Sequence, residues 1–72
     1  MFKILIKQPD KKDSEANLVS GVYRIGSSPA SHIQFNHPEI SARHAQLIVS
    51  DENIKVCDCG SSNGTFLDGA KI

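Results

Sequence analysis

The stretch Asp58-Cys59-Gly60-Ser61-Ser62-Asn63-Gly64-Thr65-Phe66 sets two glycines, two serines, an asparagine and a threonine between alternating apolar segments. Its Gly60, Ser61, Asn63, Gly64 and Thr65 have a joint chance frequency of roughly 10⁻⁶ per starting position at average residue usage. Small polar residues of this kind make a loop built on strands, not a linker. Ser41-Ala42-Arg43-His44 and Gly26 stand upstream as further pieces of the same pattern.

The flanking segments agree. Phe2–Lys7 is apolar and β-prone, and Gln8–Asn17, rich in Pro, Asp, Lys and Ser, reads as a solvated loop. Leu18–Gly26 reads as two short strand pieces around a Gly21 turn. Pro29 places 27–31 in a loop. His32–Phe35 alternates with Ile33 and Phe35 inward, and Asn36–Glu39 is a turn. His44–Val49 and Ile54–Asp58 form a hairpin around Asp51-Glu52-Asn53, with Ile54 and Val56 inward. Thr65–Leu67 is a short strand before Asp68-Gly69, a strong hairpin-turn signal. No segment keeps helical periodicity, so short strands spaced by turns predict an all-β sandwich in one domain. Only Ala70-Lys71-Ile72 follow the last turn to supply a returning strand. The expectation is therefore a fragment, or a sheet edge completed by a partner.

Composition narrows the function. Eight basic residues balance eight acidic ones, and no Lys/Arg cluster is present to track a phosphate backbone. The four aromatic residues offer no stacking platform, so nucleic acid is not the expected partner. No long apolar run or basic-then-apolar leader is seen, and the expected setting is cytoplasmic, without membrane contact by this segment. Cys57 and Cys59 would lie about 6.6 Å apart on one face of an extended strand, badly oriented for a bridge, so reduced thiols are expected.

Several groupings carry chemistry. The hydroxyls of Ser41, Ser61, Ser62 and Thr65, the Asn63 amide and loop N–H groups can grip an oxyanion or an extended peptide backbone. Glycines at 60 and 64 allow close backbone approach and positive φ. Arg24 and Arg43 are possible charge partners for phosphate. Ser41, His44 and Asp58 have the residue types of a hydrolase triad, but no strained elbow surrounds the serine. The spacings of His32, His37, His44, Cys57 and Cys59 fit no finger or ribbon, so no metal or other cofactor is expected. His37 reads as a solvated turn residue and Cys59 as core packing.

Tyr23-Arg24-Ile25-Gly26, Ser41-x-x-His44 and Asp58-x-Gly60-Ser61-x-Asn63-Gly64-Thr65-Phe66 together resemble the forkhead-associated (FHA) domain, in order and over about residues 18 to 69. The resemblance implies an antiparallel β-sandwich whose loops at one end bind phosphothreonine peptides, a signalling and scaffolding module rather than an enzyme. It assigns Ser41 and Ser62 to the phosphate and Asn63 to the peptide main chain. Gly26 and Gly64 are assigned to loop geometry, and His44 to buttressing the binding loop without touching ligand. His32 stands where the family often has Asp. Two positions depart from the pattern. Ser27 stands where the family normally has a phosphate-binding Arg, and Ala42 where it often has Arg, Lys or Asn. A pocket of neutral hydroxyls would bind phosphate more weakly, with Arg43 or Arg24 as possible compensation. The alternative is a degenerate scaffold that docks partner protein without phosphate, as in a secretion or signalling assembly. Family members also continue past the Asp68-Gly69 turn, so residues 1–72 are expected to be a single FHA-like domain, C-terminally truncated. Strand exchange in a homodimer, or strand donation by another chain, would complete it.

Overall fold

Strand β1, Phe2–Ile6, hides Phe2, Ile4 and Ile6 and exposes Lys3 and Leu5, the period-2 pattern of a sheet with one wet face. Its partner is β2, Ser14–Leu18, antiparallel with Phe2 opposite Leu18 and Ile6 opposite Ser14. This computed structural model describes residues 2–72. The strand at Ser14–Leu18 corrects the sequence-based loop over Gln8–Asn17. Its inward positions are only Ala16 and Leu18, between exposed polar residues, so its hydrophobic pattern is too thin to stand out. What makes it a strand is the row of backbone donors and acceptors on β1, which need a partner. A Lys3–Glu15 ion pair at 3.4 Å lies on the exposed face of this pair.

The larger sheet has the order β4-β3-β5-β6, with β3 Gly21–Gly26, β4 Ile33–Gln34, β5 Ala45–Val49 and β6 Ile54–Asp58. Gly21 begins β3 rather than forming a turn of its own. Register places Tyr23, Leu47 and Val56 in one inward row, and Ile25, Ala45 and Asp58 in the next. Val49 and Ile54 close the inner face at the other end. Leu18, Ala45 and Val49 are the buried apolar residues, joined by His44. Two sheets, each with one hidden face, are the layers of a β-sandwich. Pairing is antiparallel except for β3 with β4, which run parallel over two residues with Ile25 opposite Ile33. A two-residue pair needs only a short return, so the 27–32 loop suffices.

The last hairpin pairs β7, Phe66–Leu67, with β8, Ala70–Lys71. Asp68 and Gly69 both take positive φ, 51° and 84°, as a two-residue hairpin turn of the inverted type requires. The three residues after the turn thus do supply the return strand.

Because Leu18 is 4% exposed and Leu5 is 53% exposed, truncation of each tests the corrected β1–β2 pairing. Leu18→Ala is expected to cost about 2–4 kcal/mol in urea unfolding, and Leu5→Ala about 0.5 kcal/mol or less. A Leu18→Ala cost as small as that of Leu5→Ala would place residues 14–18 outside the core.

Candidate functional site

Topology brings the polar loops together. The end of β3, the start of β5 and the end of β6 meet at one edge, because Ile25, Ala45 and Asp58 share a row across antiparallel neighbours. The segments that follow Gly26, precede Ala45 and follow Asp58 must therefore leave the sheet side by side.

Main-chain bonds zip the first two. Ser27 N–H donates to the Ser41 carbonyl at 3.0 Å, Ser28 N–H to the Ala42 carbonyl at 3.3 Å, and His44 N–H to the Ile25 carbonyl at 3.0 Å. This approach is possible because residue 26 has no side chain. A Cβ there would lie 2.9 Å from the Ser41 oxygen and 2.8 Å from the Ala42 carbonyl carbon, distances that real Cβ atoms do not reach. Gly26 is thus a close-approach glycine, whereas Gly64 is needed for its φ of +85°.

His44 ties in the third loop. It is 7% exposed. Ser41 N–H donates to its Nδ1 at 3.1 Å, so the ring proton sits on Nε2, which donates to the Gly64 carbonyl at 2.9 Å. Above this bridge, Ser62 N–H donates to Ser41 Oγ at 3.0 Å, and Asn63 Nδ2–H donates to the Glu39 carbonyl at 2.8 Å. Ser41, Ser62 and Asn63, from separate loops, therefore form one polar surface.

Asp58 organises the 59–65 loop from within. Its carboxylate accepts the hydroxyls of Ser61 and Thr65 and the N–H groups of Ser61 and Gly60. These bonds, with the Ser61 hydroxyl first and the Thr65 hydroxyl next, lower its pKa from 3.8 to about 2, against a smaller opposing effect of desolvation. The sequence-based site set left out Asp58 and Thr65 as loop organisers. The signal was present, since Asp followed two residues later by Gly is the spacing of an Asx turn. The Glu39 carbonyl was missed because any residue supplies one.

Ser41, His44 and Asp58 do not form a relay. The Ser41 hydroxyl engages Ser62, both His44 nitrogens engage main chain, and Asp58 engages the 60–65 loop. Ser27 is half-buried beside Ser41, and its carbonyl accepts from Gln34 Nε2 at 3.1 Å. Arg43 lies apart from the Ser41–Ser62 bond. It lines a groove with Arg24, Ser28, Ser31 and Gln46. Cys59 lines the same groove and is exposed, which corrects its expected core role; just past the end of β6, it packs only through its N–H bond to the His44 carbonyl. Cys57 and Cys59 are both free thiols. His32 Nδ1 accepts the Arg24 N–H at 2.9 Å, and His37 Nδ1 accepts the Glu39 N–H within its own turn.

The FHA domain family model matches residues 23–72. Among solved structures, the FHA domain of the CT664 protein from Chlamydia trachomatis superposes with TM-score 0.84 at 30% identity, over 97% of this chain and 71% of that one. A chain from a structural and functional analysis of phosphothreonine-dependent FHA domain interactions superposes with TM-score 0.79 at 20% identity, over 97% of this chain and 70% of that one, a likeness of fold. Among curated proteins, the probable E3 ubiquitin-protein ligase dma1 of Schizosaccharomyces pombe is 30% identical over 73 residues. That alignment takes in 99% of this chain but 27% of the relative, so the chain spans about a quarter of that protein's length.

Two outcomes follow from this geometry. Gly26→Ala is expected to destabilise the fold by about 3 kcal/mol or more, since backbone must move to admit the methyl. Urea unfolding measures it, and a cost below about 1 kcal/mol would refute the close approach. For Asp58 the folded pKa lies below the unfolded one, so its stabilisation is complete above pH 3.8 and is lost as pH falls through about 2. Amide chemical shifts of Gly60 and Ser61 are expected to titrate near that lower value, and Asp58→Asn is expected to remove the step.

Proposed function

The chain belongs to the FHA domain family, whose members are protein-interaction modules, and from that premise we propose that its loop tip docks a phosphothreonine-containing segment of a partner protein. The observation that carries this reading is the 3.0 Å bond from Ser62 N–H to Ser41 Oγ, beside Asn63. As an acceptor in that bond, the Ser41 hydroxyl keeps its own proton for an anionic oxygen. The Asn63 amide uses one N–H on the Glu39 carbonyl and retains its other N–H and its oxygen for an extended peptide backbone. His44, Gly26 and Gly64 hold these groups in place without facing the ligand. The phosphothreonine dependence named for one fold relative agrees with this assignment.

Ser27 sets the strength of the site. A neutral hydroxyl there forgoes a charge-assisted bond worth about 1.5–3 kcal/mol, or roughly 10- to 100-fold in affinity. That same residue favours a second reading, in which the tip docks partner protein without phosphate selection.

Fluorescence anisotropy with a phosphothreonine peptide library and its unphosphorylated twin separates the two. The proposed function expects phosphate to strengthen binding by about tenfold or more, and Ser41→Ala to remove that difference. Ser27→Arg is expected to raise phosphopeptide affinity by about tenfold while leaving the unphosphorylated set unchanged. Equal affinities for both sets would eliminate the phosphate reading in favour of the second.

A further inference from the structure

Behind the tip, on the outer face of the four-stranded sheet, the groove lined by Arg24, Arg43, Ser28, Ser31 and Gln46 has two guanidinium groups and no carboxylate among its lining residues. Arg24 and Gln46 lie opposite each other in the β3–β5 register, on the face away from Tyr23 and Ile25. In a chain of zero net charge, with eight acids to match eight bases, such a concavity is a local excess of positive charge. Among the described residues, neither arginine makes an ion pair. Arg24 spends one donor, Nη2, on the Ala30 carbonyl at 3.3 Å, which fixes the guanidinium against the 27–32 loop and leaves its other donors open. Arg43 makes no side-chain hydrogen bond within the described chain and is exposed.

We propose that this groove is a second recognition subsite, for an acidic side chain carried by the same polypeptide that docks at the loop tip. Two guanidinium forks with unspent donors match a carboxylate. Arg43 follows Ser41 by two residues, so their Cα atoms are at most about 7 Å apart. A peptide held at Ser41 reaches the groove within a few residues. The Ser27–Ser41 and Ser28–Ala42 main-chain bonds make the tip and the groove two sides of one loop pair. The proposal rests on the peptide-docking reading for its biological setting, but the groove's carboxylate binding is measurable alone.

The test uses the whole chain and three peptides of one core sequence. The first carries phosphothreonine with neutral flanks, the second phosphothreonine with flanking glutamates, the third the glutamates without phosphate. At low salt the second peptide is expected to bind about 3- to 10-fold more tightly than the first, an advantage that shrinks at 0.5 M salt. Arg24→Gln with Arg43→Gln is expected to erase that advantage and leave the first peptide's affinity within about twofold. Lys11→Gln with Lys12→Gln, away from the groove, is expected to leave the advantage intact. In ¹⁵N-resolved spectra the third peptide is expected to shift the Ser28, Ser31 and Gln46 amides saturably in the native chain and not in the double arginine variant. Absence of those shifts overturns the groove whatever the first peptide does. Their presence without binding of the first peptide retains the groove and rejects the phosphothreonine reading of the tip.

Discussion

Both nitrogens of the His44 imidazole are committed to main chain, one to the Ser41 N–H and the other to the Gly64 carbonyl. The ring is nearly buried, so each of these partners would be left unsatisfied at a cost of about 1–3 kcal/mol if the ring were absent. That requirement fixes the distance between the 40–44 and 59–65 loops and selects the Nε2–H tautomer. The Ser62–Ser41 and Asn63–Glu39 bonds lie over this bridge and inherit its spacing. A single side chain, held by the N–H of His44 itself to the Ile25 carbonyl, thus couples three loops to the sheet edge.

Beneath that bridge the energetics are those of a thin sandwich. Only Leu18, Ala45 and Val49 are buried apolar residues, and Phe66, Leu67 and Val19 stand more than half exposed. With so little apolar burial available, close main-chain pairing carries much of the specification. Gly26 permits the closest of these approaches, and the Asp58 carboxylate folds its loop around itself by accepting four donors. The docking surface that results is neutral at its tip, while the positive charge of Arg24 and Arg43 is set to one side, across the same pair of loops.

Much of this was legible in the residues. Alternation in Phe2–Ile6 and Ile54–Asp58 marks inward faces that the structure keeps. The Asp68-Gly69 turn and the polar Asp58–Thr65 loop were readable because glycine and short hydrogen-bonding side chains have few roles besides backbone turns. The strand Ser14–Leu18 was not legible, since two inward residues, Ala16 and Leu18, make no visible period among polar neighbours. Nor was the parallel pairing of Ile33–Gln34 with β3, because alternation shows that a strand exists and not which edge it joins. Cys59 read as apolar by residue type, yet one residue past the end of β6 it meets solvent.

The order of residues alone determined an all-β chain, a loop tip of hydroxyl and amide groups, and family membership. Those follow from local periodicity, from turn chemistry and from motifs that survive as strings. Which groups touch, which arginines share a concavity and which carbonyl Asn63 finds were decided only by the tertiary structure. Residues 24, 43 and 62 are brought to one end by antiparallel register, and register is a property of paired backbones that no single strand carries.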